Sequence, residues 1–195
     1  MKKLIFSSIL VLNLGLVGCS DDTKKEDIKN STETSSEQAE QNTTETSTKL
    51  DILNITVSLK EAVAVFQSAH PEAQINSVEL ESNMGNLQYE ITGLDTSYEY
   101  EMRIDANSKE VLADMNEIER ETKPFLDFTE IIDPADAIQT ASTSDQVSGM
   151  SPISWKLEAE YGAQNYSIKY GKVFSEVEVY VDALTGELLG VELDD

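Results

Sequence analysis

Between residues 20 and 48 only Ile28 and Ala39 carry apolar side chains, and regular apolar spacing begins beyond Leu50. From there two periods alternate. Leu59, Ala62, Val63 and Phe66 recur at the three-and-four interval of an amphipathic helix, as do Ala135, Ala137, Ile138 and Ala141 later in the chain. Ser58 and Asp133 precede these runs with side-chain oxygens suited to a helix's first free N–H groups. Pro134, which has no N–H to leave unpaired, suits a first helical position. After each helix the period shortens to two. Val78 and Leu80, then Leu87, Tyr89 and Ile91, then Tyr98, Tyr100, Met102 and Ile104 read as strands with one apolar face. Trp155 and Leu157, Tyr166, Ile168 and Tyr170, and Val177, Val179 and Val181 repeat the pattern. Asn107-Ser108-Lys109 and Thr185-Gly186 mark tight reversals that feed short last strands, Glu110 to Leu112 and Glu187 to Val191.

The two stretches are copies of one another. At an offset of 77 residues Gly85 falls on Gly162, Tyr89 on Tyr166, Ile91 on Ile168, Glu101 on Glu178 and Asp105-Ala106 on Asp182-Ala183. The helices align at an offset of 75, so the second copy carries two extra residues after its helix, a cheap change in a loop. The predicted fold is α+β: two tandem units, residues 53–120 and 121–195, each one helix packed on a small antiparallel β-sheet.

What precedes the repeat is not predicted to fold. Met1-Lys2-Lys3 and the apolar run from Leu4 to Val17 have the form of a signal peptide, too short for a spanning helix. The run ends in Leu16-Val17-Gly18-Cys19, which resembles the bacterial lipobox. That resemblance implies cleavage between Gly18 and Cys19, with a lipid on the Cys19 sulfur holding the chain to the extracytoplasmic face of a cell membrane. Acyl burial contributes about 0.8 kcal/mol per methylene, so the anchor outweighs charge repulsion that salt screens within about 10 Å. Residues 19–52 then read as a disordered acidic linker with a span of about 30 Å. Asn30-Ser31-Thr32 and Asn42-Thr43-Thr44 fit a glycosylation pattern, and both are read as products of the linker's composition.

Composition narrows the chemistry. Fourteen Lys and Arg stand against 37 Asp and Glu, a formal charge of −23, and removing residues 1–18 takes away two lysines and no acid. Such a chain repels phosphate backbones, so nucleic acid is excluded as a partner. One Cys and one His allow neither an internal disulfide nor the usual zinc centres. No cofactor or metal is expected.

The closing hairpin Val181-Asp182-Ala183-Leu184-Thr185-Gly186-Glu187-Leu188-Leu189, behind an opening helix and strands, resembles the PepSY family. Ile104-Asp105-Ala106-Asn107-Ser108-Lys109-Glu110-Val111-Leu112 is similar but lacks the glycine, and the resemblance covers nearly everything from about residue 55 onward. It implies a protein-interaction role: PepSY modules occur in propeptides of secreted metallopeptidases and in envelope proteins, and are thought to hold or restrain peptidases. It implies no catalytic residues, and the chain is expected not to be an enzyme.

Three features remain as candidate chemistry. Asp182 to Glu187 has carboxylates but Ala183 and Leu184 break a calcium-loop order, so a turn with Gly186 at positive φ is expected. His70 is the one available imidazole base, placed before Pro71 where the first helix should stop, and no nucleophile motif accompanies it. Third is a surface. If Val78, Leu80, Tyr89, Tyr98, Tyr100 and Met102 face the helix, alternation gathers Glu79, Glu81, Glu90, Glu99 and Glu101 on the other side. The second unit offers a mixed face of Lys156, Glu158, Lys169, Glu176, Glu178 and Tyr180. The acidic face could receive a basic protein patch, on an envelope or secreted peptidase for instance. The alternative is a divalent-cation-binding envelope protein, and an enzyme with an unrecognised carboxylate site stands third.

Overall fold

Ser58 and Asp133 both cap helices. In the computed structural model, which describes residues 51–119, 122–160, 162–172 and 175–194, Ser58 Oγ accepts from Glu61 N at 3.3 Å while Glu61 Oε2 accepts from Ser58 N at 3.0 Å. This reciprocal capping box starts α1 (Leu59–Ala69). Asp133 Oδ1 accepts from Ala135 N at 2.9 Å and starts α2 (Pro134–Ala141), with the proline in its first turn. The helices bury Ala62, Val63 and Phe66, and Ala137, Ile138 and Ala141, respectively. The signal sequence, the lipobox with Gly18 and Cys19, and the linker to residue 50 lie outside the described residues.

Each helix is followed by a four-stranded antiparallel meander. The first is β1 (Gln74–Asn83), β2 (Asn86–Leu94), β3 (Tyr98–Asp105) and β4 (Val111–Ile118). The second is β5 (Ser151–Glu160), β6 (Ala163–Lys172), β7 (Ser175–Asp182) and β8 (Leu188–Asp194). The two meanders are joined through their first strands into one eight-stranded sheet, ordered β4-β3-β2-β1-β5-β6-β7-β8. At the junction Ser77, Val78, Glu79 and Leu80 pair antiparallel with Glu158, Leu157, Lys156 and Trp155. Glu79 and Lys156 hold the same position in the two copies, so this position pairs with itself. A local two-fold axis therefore passes through the Glu79–Lys156 pair, normal to the sheet, and places both helices on one face.

The copies repeat their bonding as well as their sequence. Tyr89 Oη donates to the Val57 carbonyl at 2.7 Å and Tyr166 Oη to the Ile132 carbonyl at 2.8 Å, fixing the chain just before each helix. Val57 N donates to Ala106 O, and Ile132 N to Ala183 O, each at 2.9 Å. A single core fills the space between helices and sheet. At its centre Trp155 meets Tyr89 and Tyr166 edge-on, with ring centroids 6.0 and 5.8 Å apart. Gly93 lets α1 lie close, because a Cβ there would come within 2.7 Å of the Phe66 ring.

Two expectations need correction. The last strands run further than the reversals suggested, to Ile118 and Asp194. β4 is exposed along nearly its whole length and held by backbone pairing to β3, so no apolar alternation announces it. Tyr98, expected to face the helix, stays exposed because it lies at the start of β3, next to the sheet's edge.

Candidate functional site

The sheet face away from the helices is where the registers gather the charged side chains. Glu79 lies opposite Glu90, and Glu90 opposite Arg103, so one row across β1, β2 and β3 carries all three. Glu101 and Glu99 follow Arg103 on the same side of β3, and Glu81 lies opposite Gln88. The five glutamates thus share one side of the sheet. Most of them are engaged. Arg103 donates from Nε to Glu90 at 3.0 Å and from Nη2 to Glu101 at 2.6 Å. Lys123 Nζ reaches Glu99, and Gln88 Nε2 donates to Glu81 at 3.2 Å. Arg103 is accordingly held more firmly protonated, first by its bond to Glu90, and Lys123 likewise by Glu99.

Glu79 differs from the other four. No cation lies within ion-pair distance of it among the described residues; Lys156, across the junction, instead meets Glu158 at 2.6 Å. Burial raises the Glu79 carboxyl's pKa, Glu81 and Glu90 add to the rise, and Lys156 and Lys169 oppose it. With Ser154, Lys156, Glu158, Lys169 and Glu178 it lines a shallow depression of about 320 Å³ on the second copy's side of the axis. Tyr180 borders this hollow and donates to Glu192 Oε2 at 2.9 Å; burial, and then that bond, raise its pKa. The open face therefore runs from a clasped acidic cluster to a mixed field without interruption.

Sequence reasoning passed over Arg103 and Lys123, the cations that do the clasping. Arg103 was legible, since it alternates with the buried Met102 and Ile104 and must point outward. Lys123 was not, because it belongs to the irregular connection after β4.

The Asp182 loop is a turn. Asp182 Oδ1 accepts from Leu184 N, Thr185 N and Thr185 Oγ1 at 2.9, 2.7 and 3.0 Å, and Gly186 has φ of 73°. Asp105 accepts the same three bonds from Asn107 and Ser108, with Lys109 at φ 68° in the glycine's place. Turn N–H groups, from Thr185 and Ser108 foremost, hold both carboxyls below their usual range. In each turn one carboxylate oxygen, Oδ1, takes all three bonds, and no group of three His, Cys, Asp or Glu converges on a metal-sized site among the described residues.

His70 ends α1 as its C-cap. Its Nε2 lies 2.9 Å from Asp114 Oδ1 on β4, and its ring stacks on Tyr100 with centroids 4.1 Å apart. Tyr100 Oη in turn donates to Asp95 at 2.8 Å. The imidazole thereby ties the helix end to the outer strands, and no serine or threonine bonds to it among the described residues.

The comparisons fit this geometry. A family model described as peptidase propeptide and YPEB domain, PepSY, matches residues 56–115 and 131–192, one match over each copy. A crystal structure of a protein from Clostridium difficile, provisionally named a lipoprotein, superposes with a TM-score of 0.67 at 27% identity, covering 72% of this chain and 95% of the other. No curated protein matches the chain significantly. Two helices, an eight-stranded antiparallel sheet and a family match over each half lead to one conclusion: the chain belongs to the PepSY family and carries two tandem copies of its domain.

Proposed function

We propose that this chain is an extracytoplasmic protein, held to a membrane by a lipid on Cys19, whose double PepSY body binds and restrains a secreted or envelope peptidase. The observation that carries the reading is the match of a peptidase-propeptide family over both copies. A restraining module works by occupying another protein, which suits a sheet face on which Glu90, Glu99 and Glu101 are held in ion pairs. Leu16-Val17-Gly18-Cys19 and the lipoprotein naming of the Clostridium difficile structure support the anchor. The divalent-cation alternative draws less support, because Glu90 and Glu101 are clasped by Arg103 and Glu99 by Lys123.

The test is inhibition. The mature chain is added in increasing amounts to each secreted or envelope metallopeptidase of its own cell, and residual activity is read on a peptide substrate. Saturable inhibition of at least one peptidase, with a complex that co-elutes, is expected. If every peptidase keeps full activity and none co-elutes, the restraining role is wrong. Calorimetry with calcium runs alongside, and a saturable heat there would favour the cation reading.

A further inference from the structure

β8 is one end of the sheet, so one side of its backbone has no strand beside it among the described residues. Its side chains sort by side except at a bulge, where Leu189, itself exposed, has no partner on β7. Leu188, Val191 and Leu193 lie opposite Val181, Val179 and Val177, three core residues, and so belong to the helix side. Leu188 and Leu193 are nonetheless 44% and 59% exposed, since no neighbour covers them beyond the edge. Glu192 lies opposite Glu178 on the open side, with Glu176 two residues along β7. An apolar row therefore runs along one side of the edge, and on the other Glu192 stands in front of Glu178 and Glu176 on β7.

The opposite edge lacks this order. On β4, Asp114 and Asn116 fall opposite Met102 and Tyr100 on the helix side, while Met115 falls opposite Glu101 on the open side. Natural edges are commonly blunted with lysine, proline or a bulge; β8 has no lysine or proline, and its one bulge lies at Leu189, leaving residues 190–194 in regular register.

We propose that β8 is a docking edge for an extended segment of a partner protein in which apolar residues alternate with lysine or arginine, added to the sheet as a ninth strand. Main-chain bonds along β8 supply affinity. The alternation supplies selectivity, apolar side chains covering Leu188 and Leu193 while cations meet Glu192, Glu178 and Glu176. A second copy of this chain is the wrong occupant, because two β8 edges would set Glu192 against acids of the same kind. The inference deepens the interaction reading above and rests on it.

The test uses the full mature chain and a seven-residue peptide, the length of β8, alternating valine with lysine. Saturable binding by calorimetry is expected, with amide exchange slowed at residues 188–194 and unchanged along β4. An alternating valine–glutamate peptide should bind about tenfold more weakly or not at all, and added salt should narrow that gap. Leu193→Lys and Glu192→Lys alter exposed side chains and should fold, each weakening the valine–lysine peptide about fivefold or more. Glu192→Lys should also improve the glutamate peptide. The proposal is overturned by absence of binding, by protection at β4 or the open face instead, by equal binding of a scrambled peptide, or by self-association in sedimentation. Peptidase inhibition separates the two ideas. A peptidase restrained equally by wild-type and Leu193→Lys chains removes the edge and leaves the peptidase reading standing; a chain that takes the peptide and restrains no peptidase does the reverse.

Discussion

Replacing Lys156 with glutamate sets two carboxylates against each other at the local two-fold axis, where Glu79 now faces a lysine. Two losses combine. Like charges directly opposite on neighbouring strands cost up to about 1 kcal/mol, more where one of them is already partly buried, as Glu79 is. The Lys156–Glu158 pair also goes; its side chains are 37% and 36% exposed, so screening limits it to about 0.5 kcal/mol. The total is about 1–2 kcal/mol, or roughly 3–6 °C in melting temperature for a body of this size. Thermal unfolding checks it. The decisive arm is the exchange Glu79→Lys with Lys156→Glu, which restores opposite signs at the axis and should recover at least half of the single variant's loss. A pH series gives a second readout. The Glu79 carboxyl titrates above its ordinary range, so the folded state holds that proton longer than the unfolded one, and ionising the group costs stability as pH rises through the folded value. Glu79→Gln should therefore stabilise the protein near neutrality and give little advantage at pH 4. If Lys156→Glu costs no more than Lys156→Gln, or the exchanged pair is as unstable as the worse single variant, the axis pair does not govern the junction.

Lys109→Gly should stabilise by about 1 kcal/mol, because Lys109 holds the left-handed backbone that glycine adopts freely and surrenders only an exposed contact with Glu61; urea unfolding reads the gain. Tyr166→Phe strips the Ile132 carbonyl of its buried donor and should cost about 1–2 kcal/mol in the same assay, with Tyr89→Phe matching it through Val57. Cys19→Ala should abolish labelling by radioactive palmitate and leave an unprocessed or released chain on fractionation; continued labelling would end the lipid-anchor proposal. Deleting residues 20–48 should leave the melting temperature within about 1 °C, since that stretch has almost no apolar surface to bury, and a larger fall would show that it packs on the body.

The helices and six of the strands could be read from spacing because each buries one face against the core, and burial is what apolar alternation records. β4 buries neither face, so only its start, Val111 and Leu112 after the Asn107-Ser108-Lys109 reversal, was legible, and its run on to Ile118 left no apolar mark. The fusion of two sheets was hidden for a related reason. Hydropathy says which side of β1 and β5 faces inward but nothing about which neighbour takes each backbone edge, and the Glu79–Lys156 register is a matter of edges. The repeat did carry a hint, in the glutamate and lysine at matched positions, which becomes informative once the two-fold axis is known. For the acidic face, alternation placed Glu79, Glu81, Glu90, Glu99 and Glu101 together, but their cations arrive from a neighbouring position on β3 and from the connection after β4. Neutralising Glu81, Glu99 and Glu101 to glutamine would therefore also strip partners from Arg103 and Lys123, and any loss of capture has to be corrected for that.

The joining of β1 to β5 also sets the order in which this protein can assemble. Within each meander every strand pairs with one a few residues away across a turn, and such contacts close quickly. The junction alone unites strands separated by a whole unit, so loop closure makes it the slow, late step. A chain delivered through a membrane N-terminus first completes its first half while the partner of β1 is still in transit, leaving the Ser77–Leu80 edge uncovered in that interval. Slowing export relative to folding should lengthen this interval and raise the fraction lost to aggregation or proteolysis.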